Sequence, residues 1–329
     1  MRLLNTIIVP LAGIYGCIMT VRNILYDRGW FPVRTLPAVV ISIGNITMGG
    51  TGKTPVTVAL AMWLCEKGYK VAILSRGYGR KTRGTFIGSE KSTWQELGDE
   101  PSMMRDILDD VPIVVDENRF RGGRILVDIF QPDVILLDDA FQHRSLHRDL
   151  DLLVISAGDR QENYSLFPAG RLREAWRHAH RADAILLTKS EWYDLPQDVD
   201  RKISALSRPV FQLTAETVLQ SPYGPIESCD APFILVCAIA DPESFRRAAG
   251  RKYLDIAKEF IFPDHYHYTR ADVDKIEAWD DTGKTAGILT TEKDYVKLKR
   301  LRLSKPLYVL TLRYNLPVEL QDVIVKALS

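Results

Sequence analysis

An α/β fold with a mostly parallel sheet is what this sequence predicts, on two observations. Short apolar runs recur along residues 38–188, separated by helical stretches and turns, as buried parallel strands and their crossovers require. A glycine-rich loop joins the first of these runs to the first helical stretch, in "ISIGNITMGGTGKTPV" (41–56). The loop makes the sheet a P-loop NTPase-type one. A second, smaller α/β domain is expected after it and a hydrophobic helix before it.

The strands are expected at "AVVISI" (38–43), "VAILS" (71–75), "PIVVD" (112–116), "DVILLDD" (133–139), "DLLVIS" (151–156) and "DAILLT" (183–188), with helices over 55–67 and 118–130. "PVFQLTAETV" (209–218) reads as one long strand, and the turn formers of "SPYGPIESCDAP" (221–232) read as a linker. The smaller unit then alternates "FILVCAIA" (233–240), helix 242–249, "AKEFIF" (257–262), helix 270–279, "AGILTT" (286–291) and helix 292–300. "PLYVLTLRY" (306–314) is expected to pair with 209–218 as a ribbon joining the domains, and a final helix over 316–328 to return to the first domain. The organisation read from this is residues 1–35 as a membrane-associating helix region, 36–218 as the P-loop domain and 219–305 as the smaller domain. Residues 306–329 are the linker strand and last helix.

Residues 3–21, "LLNTIIVPLAGIYGCIMTV", carry no charge and approach the length that spans a bilayer. Leu3, Leu4, Ile7, Ile8, Leu11, Ile14, Tyr15, Ile18 and Met19 fall on one helical face, with Asn5, Thr6, Ala12, Gly13, Gly16 and Thr20 behind. One apolar face with a small, weakly polar back suits a helix lying in a membrane interface or docked on the protein, and Pro10 is expected to kink or divide it. A secretory leader is disfavoured, because only Arg2 is basic before the apolar run and no small-residue cleavage site follows.

The formal net charge is +1, so nothing global points to nucleic acid. Local stretches are basic, however. Residues 67–89 hold Lys67, Lys70, Arg76, Arg80, Lys81 and Arg83 without an acid, and "RLREAWRHAHR" (171–181) has four arginines against one glutamate. Such stretches are either solvated faces or suited to an anionic ligand or membrane surface. Cys17, Cys65, Cys229 and Cys237 form no CxxC pair, which argues against a disulfide framework or a zinc site.

Gly49, Gly50, Thr51, Gly52, Lys53, Thr54 and Pro55 form the loop and the helix start. Their N–H groups and the helix N-terminus suit phosphate oxygens, with Lys53 reaching the β- and γ-phosphates and Thr54 offering its hydroxyl to Mg²⁺. The usual spacing would put glycine at 47, where this chain has Thr47. Gly49 and Gly50 supply the backbone freedom nearer the phosphates. Asp138, at the end of the apolar run 134–137, takes the position of the acid that serves the metal, and Asp139 is expected to hold it through water.

Several ordered stretches together resemble the tetraacyldisaccharide 4'-kinase (lipid A 4'-kinase) family. They are "GNITMGGTGKTP" (44–55), "LSRGYGRK" (74–81), "GDEP" (98–101), "DENR" (116–119), "DDAFQHRSLHRDLDL" (138–152), "AGRLRE" (169–174), "FPDHYHY" (262–268) and "TTEKDYVKL" (290–298). Ala140 stands where many members have glycine, and Arg171 and Ala175 where proline is frequent. The resemblance implies transfer of the ATP γ-phosphate to the 4'-hydroxyl of an acylated glucosamine disaccharide 1-phosphate, with ATP and Mg²⁺. It also implies a peripheral enzyme on the cytoplasmic face of a bacterial inner membrane; no obligate protein partner is evident.

By matching, the resemblance makes Asp99 the base that takes the acceptor proton and His265 its partner, brought together by domain closure. Without it, Asp99 reads equally as a helix N-cap and His265 as a turn histidine. Glu100, Arg119, His143, Arg173 and Glu174 are substrate or phosphate candidates, as are Tyr78 and Arg80 of the basic loop. Each arginine alone also reads as a surface ion pair. Two other functions compete. One is a membrane-associated P-loop ATPase switch acting on a protein partner, whose signature lysine would stand at Met48. The other is a kinase for a small cytosolic molecule, which needs no apolar helix.

Overall fold

The computed structural model describes residues 2–280 and 283–328, with side chains from residue 8 onward. Eight of the strands so described form a first sheet: β1 (Val39–Gly44), β2 (Val71–Ser75), β3 (Phe86–Ile87), β4 (Ile113–Val115), β5 (Val134–Asp138), β6 (Leu150–Ser156), β7 (Ala184–Thr188) and β8 (Val210–Gln212). Their spatial order is β3-β4-β2-β5-β1-β6-β7-β8, and only the short edge strand β3 is antiparallel. The inner strands are buried along their whole length, which is why they read as unbroken apolar runs. Helix α1 (Arg2–Asp27) precedes the sheet, and α2 (Lys53–Glu66), α3 (Trp94–Leu97), α4 (Asp99–Ile107), α5 (Arg119–Phe130) and α6 (Gln197–Ser204) lie between its strands. Val56, Leu60 and Leu64 of α2 share a core with Ile41, Ile43 and Leu136. Leu126 of α5 packs with Val40, Leu74 and Ile135 on the opposite face.

The second sheet holds β9 (Thr214–Ser221), β10 (Gly224–Ile226), β11 (Phe233–Cys237), β12 (Ile256–Ile261), β13 (Gly287–Thr291) and β14 (Leu307–Asn315), in the order β10-β9-β14-β13-β11-β12. Helices α7 (Pro242–Arg251), α8 (Arg270–Trp279) and α9 (Glu292–Leu298) connect its parallel strands, and α10 (Val318–Leu328) follows β14. Leu320 and Ile324 of α10 lie in the core of the first sheet beside α2.

The run 209–218 is not one strand. Leu213 is fully buried and its N–H bonds Leu187 O at 2.8 Å, so the chain is pinned to the first sheet there before it turns into the second. β8 therefore pairs with β7, and β9 pairs antiparallel with β14 from Thr214↔Asn315 to Gln220↔Val309. β14 also pairs with β13, which makes it an inner strand rather than half of a free ribbon. The expected linker contains β10, which hairpins back onto β9.

Helix α1 runs through Pro10 to Asp27 as one helical element, so the proline does not divide it. Its small residues form the docked face: Ala12 is buried, and a Cβ on Gly16 would stand 2.6 Å from Leu166 Cδ1. Val9, Leu11, Ile14, Ile18 and Val21 are exposed, while Tyr15 and Met19 turn into a cleft. The side chains of Leu3, Leu4, Asn5, Thr6 and Ile7 lie outside the described residues. Ile8–Asp27 has a mean hydropathy of 1.5 and is long and apolar enough to cross a membrane by length and composition.

Polar contacts hold the other end of α1. Asn23 Nδ2 donates to Glu174 Oε2 at 2.8 Å, Arg22 donates to Gln142 O at 2.7 Å, and Tyr15 Oη donates to Arg173 O at 2.6 Å. Glu174 is fully buried and also accepts from Gln142 Nε2 (2.9 Å) and twice from Arg181 (2.6 and 2.8 Å). Burial alone would raise its proton affinity. The Arg181 charge and the hydrogen bonds from Arg181, Gln142 and Asn23 hold it below the ordinary glutamate value instead.

Leu320→Ala is expected to cost about 2–5 kcal/mol in urea unfolding, because the void opens inside the first core. Glu174→Ala should cost about 3–5 kcal/mol, since it strands Arg181 and Asn23. The folded-state depression means that the Glu174 contribution is present at neutral pH and lost as pH falls below the ordinary carboxylate range. Urea midpoints of wild type and Glu174→Ala should therefore converge in acid.

Candidate functional site

The glycine loop leaves β1 at Gly44 and enters α2 at Lys53. Thr47 bridges to Leu172, and its hydroxyl donates to Asp159 at 3.0 Å, so the position that often carries glycine is an extended, side-chain-anchored one here. The left-handed residues are Gly49 (φ 124°) and Gly52 (φ 87°). A Cβ at Gly52 would stand 3.2 Å from Tyr314 Oη in addition to its backbone strain. Gly52 is the N-cap of α2 and has no side chain to cap the first turn, an arrangement open to an anion. Thr51 is fixed from both sides, its hydroxyl accepting from Asn45 Nδ2 (3.0 Å) and its carbonyl from Thr188 Oγ1 (2.7 Å). Pro55 sits in the first turn, where its missing N–H has no intrahelical partner to lose.

The register Ile43↔Asp138 sets the end of β5 beside this loop. Asp138 is fully buried; Oδ2 accepts from Ser75 Oγ at 3.1 Å, and Oδ1 has no partner. Burial, then the charges of Glu100 and Asp139, push its carboxyl up to about 7. Asp139, at φ 48°, faces the other way. Its carboxylate meets Lys53 Nζ at 3.4 Å and Arg173 Nη1 at 2.8 and 2.9 Å. Burial opposes ionisation there, but Lys53 and Arg173 outweigh it and hold the group at about 2. Asp139 is thus ion-paired to both Lys53 and Arg173 in this conformation. Arg119 is buried, donates to Asp116 O at 2.8 Å, and reaches Asp138 O at 3.5 Å; its Nε has no partner. Burial brings its guanidinium down to about 10.

Asp99 and His265 come from different sheets and meet. His265 Nδ1 lies 3.0 Å from Asp99 Oδ2, with side chains 32% and 7% exposed respectively. The pair is assembled in this conformation without further closure. Asp99 is the first residue of α4, and Gly98 takes the N-cap place, which removes the capping reading. Burial would raise the Asp99 proton affinity, but the His265 hydrogen bond and the Lys297 charge hold it below the ordinary aspartate value. His265 sits at φ 61°, a backbone region that non-glycine residues keep only when neighbours enforce it.

These groups open on one cleft of about 810 Å³, lined by the loop residues 48–55, Glu100, Arg119, Asp138, Asp139, His143, Arg173 and His265. Tyr15, Met19 and Arg22 of α1 line it as well, as do Lys189, Asp241, Phe245 and Tyr314. Tyr78 is exposed at its edge, with its ring 5.4 Å from that of His265. Burial, then the charges of Arg119 and Arg148, lower His143 to about 4, so its imidazole is neutral. Three candidates are not among its lining residues, and one of them is Asp99, whose partner His265 does line it. Arg80 is spent on Gly84 O of its own loop and on Val115 O and Glu117 at the end of β4. Glu174 is the buried clamp on α1. Sequence reasoning missed Lys189, which pairs with Asp241 of the other half at 2.6 Å, and Lys297, which meets Asp99 Oδ2 at 2.6 Å. The strand-end "LLTK" and the i, i+4 lysines of "EKDYVK" were the only signals for them.

Residues 4–329 match the family described as tetraacyldisaccharide-1-P 4'-kinase. The tetraacyldisaccharide 4'-kinase of Cytophaga hutchinsonii is 36% identical, over 98% of this chain and 95% of its own. That of Aquifex aeolicus is also 36% identical, over 90% and 91%. The crystal structure of LpxK from Aquifex aeolicus in complex with ATP is similar with a TM-score of 0.80 at 33% identity, over 98% of each chain. With an ordered match over nearly its whole length, the chain belongs to the tetraacyldisaccharide 4'-kinase family.

Proposed function

We propose that the protein is a lipid kinase that transfers the ATP γ-phosphate to the 4'-hydroxyl of tetraacyldisaccharide 1-phosphate, in lipid A biosynthesis. The observation that carries this is one cleft lined by a phosphate loop, by His265 of the Asp–His pair and by Tyr15, Met19 and Arg22 of an apolar helix. Membership of the family supports the substrate. Gly49–Gly52 and the start of α2 cradle the phosphates, and Lys53 and Arg173, balanced by Asp139, stabilise the transferred group. Asp99, oriented by His265, takes the acceptor proton. Arg119, His143 and Tyr78 line the acceptor side, where the Arg119 guanidinium suits an anionic sugar phosphate.

The residues fit Mg²⁺. The orphaned Oδ1 of buried Asp138 and the Thr54 hydroxyl are oxygen donors at the loop. Among the described residues no cluster of three or more His, Cys, Asp or Glu side chains could hold a metal alone, which suits an ion shared with nucleotide phosphates. When bound it would neutralise charge on the phosphates. The outward apolar face of α1 supports a monotopic position on the cytoplasmic face of the inner membrane, with the cleft at the lipid surface. An ATPase switch is disfavoured: Met48 replaces its signature lysine, and it needs no Asp–His pair.

Phosphate transfer from γ-labelled ATP to detergent-dispersed tetraacyldisaccharide 1-phosphate is expected for wild type. Asp99→Ala should lower it by about 10²–10⁴-fold. ATP hydrolysis without labelled lipid would overturn the kinase reading. Asp138→Asn should raise the Mg²⁺ concentration needed for half-maximal transfer. An unchanged Mg²⁺ requirement would remove Asp138 from the metal site.

A further inference from the structure

Two lysines one turn apart on α9 bracket the Asp–His pair. Lys293 Nζ lies 3.2 Å from His265 Nε2 and 2.9 Å from Asp264 Oδ1. Lys297 Nζ lies 2.6 Å from Asp99 Oδ2 and 3.1 Å from Tyr266 O. An ammonium only donates, and so does the ring nitrogen that faces an ionised carboxylate. The chain of contacts therefore has one consistent polarity. Lys293 donates to His265 Nε2, His265 Nδ1–H donates to Asp99, and Lys297 donates to the same Asp99 oxygen.

We propose that Lys293 and Lys297 are positioning residues for phosphoryl transfer: Lys293 locks His265 as its neutral Nδ1–H tautomer, and Lys297 pins Asp99 as a carboxylate aimed by that ring. This rests on the kinase reading for its catalytic meaning, but the tautomer lock stands on geometry alone. The i, i+4 spacing puts both ammonium groups on one face of α9. The left-handed backbone at His265 and the Asp264 Oδ1 contact to its N–H (3.0 Å) present the ring edge between them. The charged groups facing the pair are Lys293 and Lys297 from α9, Asp264 from the loop after β12, and Glu100 from α4, whose charge acts on Lys293.

The test is nitrogen-15 imidazole NMR on full-length, detergent-solubilised protein, with kinetics on the same samples. Wild type should show His265 protonated on Nδ1, and Lys293→Met should show Nε2–H signal beside it, because Nδ1 still faces the Asp99 carboxylate. Lys293→Met should lower kcat by about 10- to 100-fold with KM for ATP near wild type, less than loss of the base itself. Lys297→Met removes the cation that keeps Asp99 ionised, so the acid limb of kcat/KM should move to higher pH; Lys297→Arg should restore it. Thermal melts identify a variant that fails to fold, and Lys297→Gln or Lys293→Gln then carries the measurement. A wild-type tautomer pattern in Lys293→Met with an unmoved acid limb in Lys297→Met would overturn the proposal. Absence of lipid phosphorylation by wild type with the NMR result intact would instead overturn the kinase reading alone.

Discussion

The contact on which the arrangement depends lies under Gly52. β14 belongs to the second sheet, yet its Tyr314 is buried in the core of the first, with its hydroxyl where a Gly52 Cβ would project. The phosphate loop is thus packed from below by a strand that also pairs with β13 and β9. Any shift of the second sheet is felt at the loop, because close-packed interiors transmit strain. Thr188 reinforces the link by holding the Thr51 carbonyl from the end of β7. The loop is therefore shaped by two strands remote in sequence, and Tyr314 gives Gly52 a steric reason beyond backbone freedom.

The second organising constraint is charge. Asp138 and Asp139 are neighbours in sequence with opposite behaviour, one pushed up to about 7 and the other held at about 2. The difference lies in partners. Asp139 turns its carboxylate to Lys53 and Arg173, whereas Asp138 keeps an oxygen unpaired in the interior and faces other acids. An unpaired buried carboxylate is costly, so its position is retained at a site that a cation can relieve. Lys53 meanwhile is kept in the cleft by Asp139, ready to exchange that partner for a phosphate.

Much of this was legible in the chain. The strands around the loop, Asp138 at a strand end and the Asp–His pair all follow from local patterns or ordered motifs. What was not legible came from contacts between distant positions. The break at Leu213 depends on a bond to Leu187, which no periodicity over 209–218 encodes. Arg80 and Glu174 looked like ligands because they are charged residues within motifs, yet the fold pairs one with the end of β4 and the other with Asn23 and Arg181. Beyond the i, i+4 spacing, Lys297 carries no local signal of its role; only the fold brings it to Asp99. Pro10 signalled a break that the helix does not make.

A carboxylate held below its ordinary proton affinity is a weak equilibrium base, which bears on how Asp99 would act. In a loose transition state the acceptor hydroxyl has gained little bond to phosphorus, so its proton is lost late. Strong basicity in the ground state is then worth less than a fixed ionised oxygen at the right place. Ionisation is secured by the His265 hydrogen bond and the Lys297 charge together, and orientation by His265, across two halves of the molecule. The burial that penalises the charge also strengthens those hydrogen bonds, because the local dielectric is low. On the proposed function, the same interface that joins the sheets supplies the base in its reactive form, and weakening the interface would lower the rate of transfer before it unfolded either sheet.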